Sequence, residues 1–188
     1  RPPHPTNRRQ RQMCIRDSLT AHSAEVYNDN PRDFLNFVNE GITERINSGF
    51  VTGLAGHFGT RQKNGDRKLI LSHAGHRQLL VYRKQENAVE LIELPNGTVM
   101  GLPGTTASRA KAIKLQIGDR FYAFTDGIVE ASNPKGEEFG TKRVMDAIKS
   151  LSAKPVQKTV EALYTKVAKF TQVPDQQDDI TILGFELS

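Results

Sequence analysis

The segment Phe121-Tyr122-Ala123-Phe124 constrains the fold more than any other. Its apolar residues do not alternate with polar ones. A half-buried strand alternates, whereas an unbroken short run reads as a strand buried on both faces and central in its sheet. The run stops at Thr125-Asp126-Gly127. A second run, Asp178-Asp179-Ile180-Thr181-Ile182-Leu183, opens on two aspartates. Each run places a carboxylate at the end of a buried strand, where water and a cation can reach it. Two carboxylates brought together repel unless a positive charge lies between them. A hard divalent cation with oxygen ligands is the usual solution.

The rest of the pattern is mixed. Asn30 can cap a helix with Pro31 at its first position and Asp33 in its first turn. Leu35, Val38, Ile42 and Ile46 recur at helical spacing, and Gly49 stops them. A weak helical end is read over residues 18–27. Phe50 to Phe58 reads as a strand, Asn64-Gly65 as a hairpin signal, and Arg67 to Ala74 as the return strand. Leu79 to Arg83 and Val89 to Leu94 form a further hairpin, followed by a Gly/Pro/Thr-rich loop from Pro95 to Ser108. Ile113, Leu115 and Ile117 alternate as a half-buried strand, and Gly118-Asp119 turns the chain into the central strand. Gly127 to Gly140 is expected as a loop. Two helices follow, carrying Val144, Ile148 and Leu151, then Val156, Val160, Leu163, Val167 and Phe170. Asp179 to Leu187 is the last strand. This order predicts an α+β domain whose sheets are covered by helices.

Composition excludes several classes. The chain has 188 residues, 37% hydrophobic and 25% charged, as a soluble domain with a real core should. It has no apolar run of membrane-spanning length and no signal-peptide pattern. The lone Cys14 rules out an internal disulfide framework, which suits the cytoplasm. The net charge of +5 is local: residues 1–17 carry five arginines against Asp17, which is +4, and leave the remainder at +1. Nucleic-acid binding would therefore rest on that tail alone. The tail has a disordered composition and could act as a basic arm for RNA or anionic lipid. Arg9 to Asp17 resembles translated adapter sequence, so residues 1–17 are read as non-native and residues 18–188 as the domain.

Each motif has a plain structural reading beside the chemical one. Asp126-Gly127 alone is commonly a turn. Adjacent aspartates on a strand point to opposite faces, so only one of Asp178 and Asp179 should reach a shared metal. Ser72-His73-Ala74-Gly75-His76 invites zinc but lacks further ligands, and His76 suits a turn-fixing hydrogen bond instead. Met100-Gly101-Leu102-Pro103-Gly104 lacks the Lys-Ser/Thr ending of a phosphate loop and reads as structural. No Gly-x-Ser-x-Gly nucleophile elbow is present.

In order, Phe50-Val51-Thr52, Ala74-Gly75-His76, Met100-Gly101-Leu102, Gly118-Asp119, Thr125-Asp126-Gly127-Ile128-Val129-Glu130-Ala131, Glu138-Phe139-Gly140 and Asp178-Asp179-Ile180-Thr181 resemble the SpoIIE-type (RsbU-like) branch of the metal-dependent type 2C (PPM) serine/threonine phosphatases. The match runs from about residue 18 to the end. It implies an α-β-β-α sandwich of two antiparallel sheets flanked by helices. It also implies a two-metal Mn²⁺ or Mg²⁺ site whose bridged water attacks phosphorus without a covalent phosphoenzyme. Asp126 matches one metal ligand and Asp178 another, with Asp179 the fallback if the register slips. Gly127 and His76 belong to supporting loops. Family substrates are phosphoserine or phosphothreonine proteins, often anti-sigma factor antagonists, and a sensor domain commonly precedes the phosphatase.

The family's N-terminal Asp-x-Ser-Gly-His-Gly motif is absent, and its Asp bridges both metals. Gly56-His57 comes too late in the order to replace it. The expectation is a domain lacking its first strands, with an exposed sheet edge, an incomplete metal site and little or no activity on its own. A pseudophosphatase that binds proteins is the alternative; the presence of Asp126, Asp178 and Asp179 argues against it.

Overall fold

A computed structural model describes residues 30–46, 49–172 and 179–188. The expected helical end at 18–27, the tail and Asp178 lie outside these residues. In chain order the elements are α1 (Pro31–Thr43), β1 (Gly53–Phe58), β2 (Arg67–Ala74), β3 (Leu79–Arg83), β4 (Ala88–Leu91), β5 (Lys111–Leu115), β6 (Arg120–Phe124), α2 (Asp126–Val129), α3 (Gly140–Ser150), α4 (Val156–Thr171) and β7 (Ile182–Glu186). The architecture is α+β, with strands ordered β1-β2-β5 in one sheet and β4-β3-β6-β7 in the other. The contacts divide the chain into two compact units.

The first unit holds the described residues up to Gly59, with Lys68–His76 and Leu94–Ile113. α1 begins as its sequence dictates: the Asn30 side chain accepts from the Arg32 amide, and Pro31 needs no such partner. Leu35 and Ile42 are buried and pack with Ala74, Met100 and Ala107. The polar edge of α1 holds the 98–107 loop. Asn39 Nδ2 donates to Thr105 O at 3.0 Å, and its Oδ1 accepts from the Gly101 amide at 2.7 Å. Asn36 Oδ1 accepts from the Ala107 amide at 2.9 Å. Met100 also pairs with Val51 in an isolated bridge. The glycine-rich loop is thus structural, as its sequence suggested. β1 and β2 are antiparallel from Gly53↔Ala74 to Phe58↔Leu69.

The second unit holds Thr60–Arg67, Arg77–Glu93 and Lys114–Ser188. Its sheet is antiparallel at each pairing, with β6 between β3 and β7. Every residue of β6 is buried, which is why its sequence does not alternate. Leu80, Tyr82, Tyr122 and Phe124 pack against Ile128, Val144, Ile148, Leu163 and Val167 from the helices. At the turn into β6, buried Asp119 accepts from Arg83 Nη1 at 2.9 Å and from the Lys84 and Gln116 amides, each at 3.1 Å. This carboxylate is structural: its acceptor sites tie β3 to the approach of β6.

Several boundaries differ from the sequence reading. The first strand starts at Gly53, because Phe50 is 64% exposed and only Val51 pairs. Asn64-Gly65 does lie at the turn of the hairpin that joins β1 to β2, closed by the Gly65 amide donating to Gln62 O at 2.9 Å, but the connection is longer than the turn itself. It sits inside the 59–66 connection, where Asn64 Oδ1 accepts from the Asp66 amide and Gly65 adopts φ +87°. The third alternating position, Ile117, is 45% exposed beyond the end of β5. The expected 127–140 loop opens with the single turn α2, anchored by buried Ile128 and Val129. The last strand is shorter than read, beginning at Ile182 rather than Asp179.

Candidate active site

Local sequence places Asp126 at the end of the central strand. β6 runs apolar to Phe124, and the chain then turns into α2, closed by the Glu130 amide donating to Asp126 O at 2.9 Å. Asp126 is exposed at the first position of that turn, and Gly127 beside it is buried. The neighbouring strand arrives from the other end of the chain. β6 and β7 pair in register from Arg120↔Glu186 to Phe124↔Ile182.

Thr125 extends that pairing by side chain as well as backbone. Its amide donates to Thr181 O at 3.1 Å. Its Oγ1 accepts from the Thr181 amide at 2.9 Å and donates to Asp179 O at 2.9 Å. A hydroxyl can do both at once, which few side chains of this size can. Asp126 and Asp179 therefore stand on adjoining segments on either side of one threonine clamp, both exposed to solvent. The sequence motif contained Thr125, but its role could not be read before its partners 54 and 56 residues away were known.

The other residues singled out from sequence fall elsewhere. Asp178 is outside the described residues. His76 follows β2 in the first unit, half-buried after Gly75. Gly75 adopts φ +75°, and a Cβ there would come within 2.8 Å of Val99 Cγ1 and 3.0 Å of Thr52 Cγ2. That close approach accounts for the glycine before His76. His73 is buried, and its Nε2 shares a 2.9 Å hydrogen bond with Pro95 O, so this ring serves the fold.

The donor chemistry near Thr125 suits a hard cation in kind: both residues offer carboxylate oxygen, are exposed and stand on adjoining segments. It falls short in number. Among the described residues no group of three or more His, Cys, Asp or Glu is placed to hold a metal ion. The described residues fit part of such a centre and do not complete one.

Two antiparallel sheets with flanking helices match the fold of solved PP2C phosphatase domains. The SiaA PP2C domain of Pseudomonas aeruginosa superposes with a TM-score of 0.68 at 22% identity, covering 94% of this chain and 68% of that one. The RsbU and RsbW domains of Rv1364c from Mycobacterium tuberculosis give 0.72 at 21%, covering 92% and 45%. The catalytic domain of the serine/threonine phosphatase PstP, solved with two manganese ions, gives 0.63 at 13%, covering 90% and 77%. The chain therefore spans less than half of the RsbU–RsbW structure. No curated protein sequence matches it. The sequence profile of the stage II sporulation protein E (SpoIIE) family matches residues 13–188. The chain belongs to that family, and its fold is that of a protein phosphatase domain.

Proposed function

We propose that residues 18–188 belong to a bacterial signalling phosphatase domain that hydrolyses phosphoserine or phosphothreonine on a protein. The supporting observation is the Thr125 clamp, which holds Asp126 and Asp179 on adjoining segments in a chain of the SpoIIE family. Two exposed carboxylates alone would repel a phosphate dianion, so a divalent cation, Mn²⁺ or Mg²⁺, belongs between them. PstP, with its two manganese ions, supports that reading by likeness of fold. When bound, such ions lower the pKa of a water and neutralise developing charge on the phosphoryl group. Asp126 and one of Asp178 and Asp179 are the ligands contributed here. The remaining donors must come from outside the described residues. The likeness to a protein with RsbU and RsbW domains favours an anti-sigma factor antagonist as substrate and an upstream sensor domain as regulator, with this domain itself in the cytoplasm. Among the described residues no helix is long and apolar enough to cross a membrane.

The test is hydrolysis of a phosphoserine peptide by the intact gene product with Mn²⁺. Turnover is expected, with Asp126→Asn lowering it by about 100-fold or more, since removing one ligand weakens a charge-neutralising centre. Peptide binding without turnover at any divalent cation would instead establish the binding-module reading.

A further inference from the structure

The domain carries its positive charge unevenly. α3 holds Lys142, Arg143 and Lys149 against Asp146, and α4 holds Lys158, Lys166 and Lys169 against Glu161. Six cations against two carboxylates make these two helices +4. Residues 18–188 together carry only +1, so everything else among them sums to −3.

Half of these cations line a groove of about 550 Å³ between the helices. Its floor is apolar: Phe139 and Ala147 are buried, and the Phe170 ring meets Phe139 edge-on at 5.3 Å. Arg143, Lys166 and Lys169 form its exposed walls. Arg143 is held in place. Its Nη1 donates to Glu138 O at 2.7 Å and Phe139 O at 3.0 Å, and its guanidinium lies 4.9 Å over the Phe170 ring. A cation fixed in this way loses little further freedom when it meets an anion.

We propose that this groove docks an acidic segment of a protein partner. One apolar side chain sits on the Phe139–Phe170 floor, and flanking Asp or Glu residues meet Arg143, Lys166 and Lys169. Charge complementarity selects the acid, and the apolar floor selects a peptide over a bare anion. A nucleic acid fits less well. Asp146 lines the same groove and interrupts its positive charge, which spaced carboxylates around one apolar residue avoid and a continuous phosphate backbone does not. One face of the Phe170 ring is covered by Arg143, which leaves too little of the ring open for a flat base to stack, while a single branched side chain needs less. This site is separate from the Asp126 region and does not depend on catalysis there.

The experiment is fluorescence anisotropy of the full 188-residue chain with a short labelled peptide of Asp and Glu around one central Leu. Binding is expected to weaken about tenfold in the K166E/K169E double variant, and about tenfold when the central Leu is replaced by Ser. Affinity unchanged in the double variant would assign the binding to other cations, such as the arginine-rich tail, and overturn the proposal. Tighter binding of a single-stranded oligonucleotide of equal charge through the same lysines would also overturn it, as would no binding at low ionic strength. Both lysines are exposed, so the variants should fold, which circular dichroism checks. Amide shift mapping on the unmodified chain is independent of them: the peptide should shift Arg143, Ala147, Lys166 and Phe170, and shifts confined elsewhere refute the site.

Discussion

Replacing Thr125 by Val removes one hydroxyl and keeps the shape of the side chain. In the structure that hydroxyl makes two hydrogen bonds of 2.9 Å, one accepted from the Thr181 amide and one donated to Asp179 O. A neutral hydrogen bond contributes about 1 kcal/mol net. Thr125 is half-exposed, so water replaces part of what is lost. The expected cost of Thr125→Val is therefore about 1–2 kcal/mol. The Thr125 amide still bonds Thr181 O at 3.1 Å, so the sheet should survive and the loss should be local. Native-state hydrogen exchange reads it directly: protection of the Thr181 amide should fall by roughly 5–30-fold. Thr125→Ser keeps the hydroxyl and should restore most of that protection. If Thr125→Val leaves the Thr181 amide as protected as before, the clamp does not hold the two segments together. If Ser fails as badly as Val, the hydroxyl alone does not account for the clamp.

Three further outcomes follow from local geometry. Gly75→Ala introduces a side chain at φ +75° and within 2.8 Å of Val99 Cγ1, and should lower stability by about 2 kcal/mol in urea denaturation. Asp119→Ala leaves Arg83 and two backbone amides without their shared buried acceptor, so a loss of about 3 kcal/mol is expected by the same assay. The Lys114 ammonium, 2.9 Å from Asp66 and aided by Asn64, holds that carboxyl below its ordinary value of 3.8. A depressed folded pKa stabilises above the unfolded value and is lost as pH falls through the folded one. The stability gap between the natural chain and Lys114→Met should thus be full at neutral pH and close below pH 3.8; a gap that persists in acid would show that the Lys114 stem, not its charge, is what counts.

Much of the second unit was legible because its signals are local. The unbroken apolar run of β6 announces burial on both faces, and the structure buries all five of its residues. Asn30-Pro31 and the spacing of Leu35 and Ile42 fix the start and the inner face of α1. Boundaries were less legible where tertiary contact overrides propensity. Asn64-Gly65 carries strong hairpin chemistry and does lie at the turn between β1 and β2, yet the connection spans residues 59–66, a length the pair alone does not announce. α2 hid in an expected loop because its four residues depend on Ile128 and Val129 being buried beneath α3 and α4.

The sequence by itself determined the family, the carboxylates at the ends of apolar runs and a charge balance that is nearly neutral beyond the tail. It could do so because oxygen donors, strand burial and net charge are written residue by residue. Only the tertiary structure decided that Thr125 joins Asp126 to Asp179, and that Arg143, Lys166 and Lys169 share one groove. Those facts rest on residues tens of positions apart meeting in space, and periodicity carries no record of which distant segments will pair.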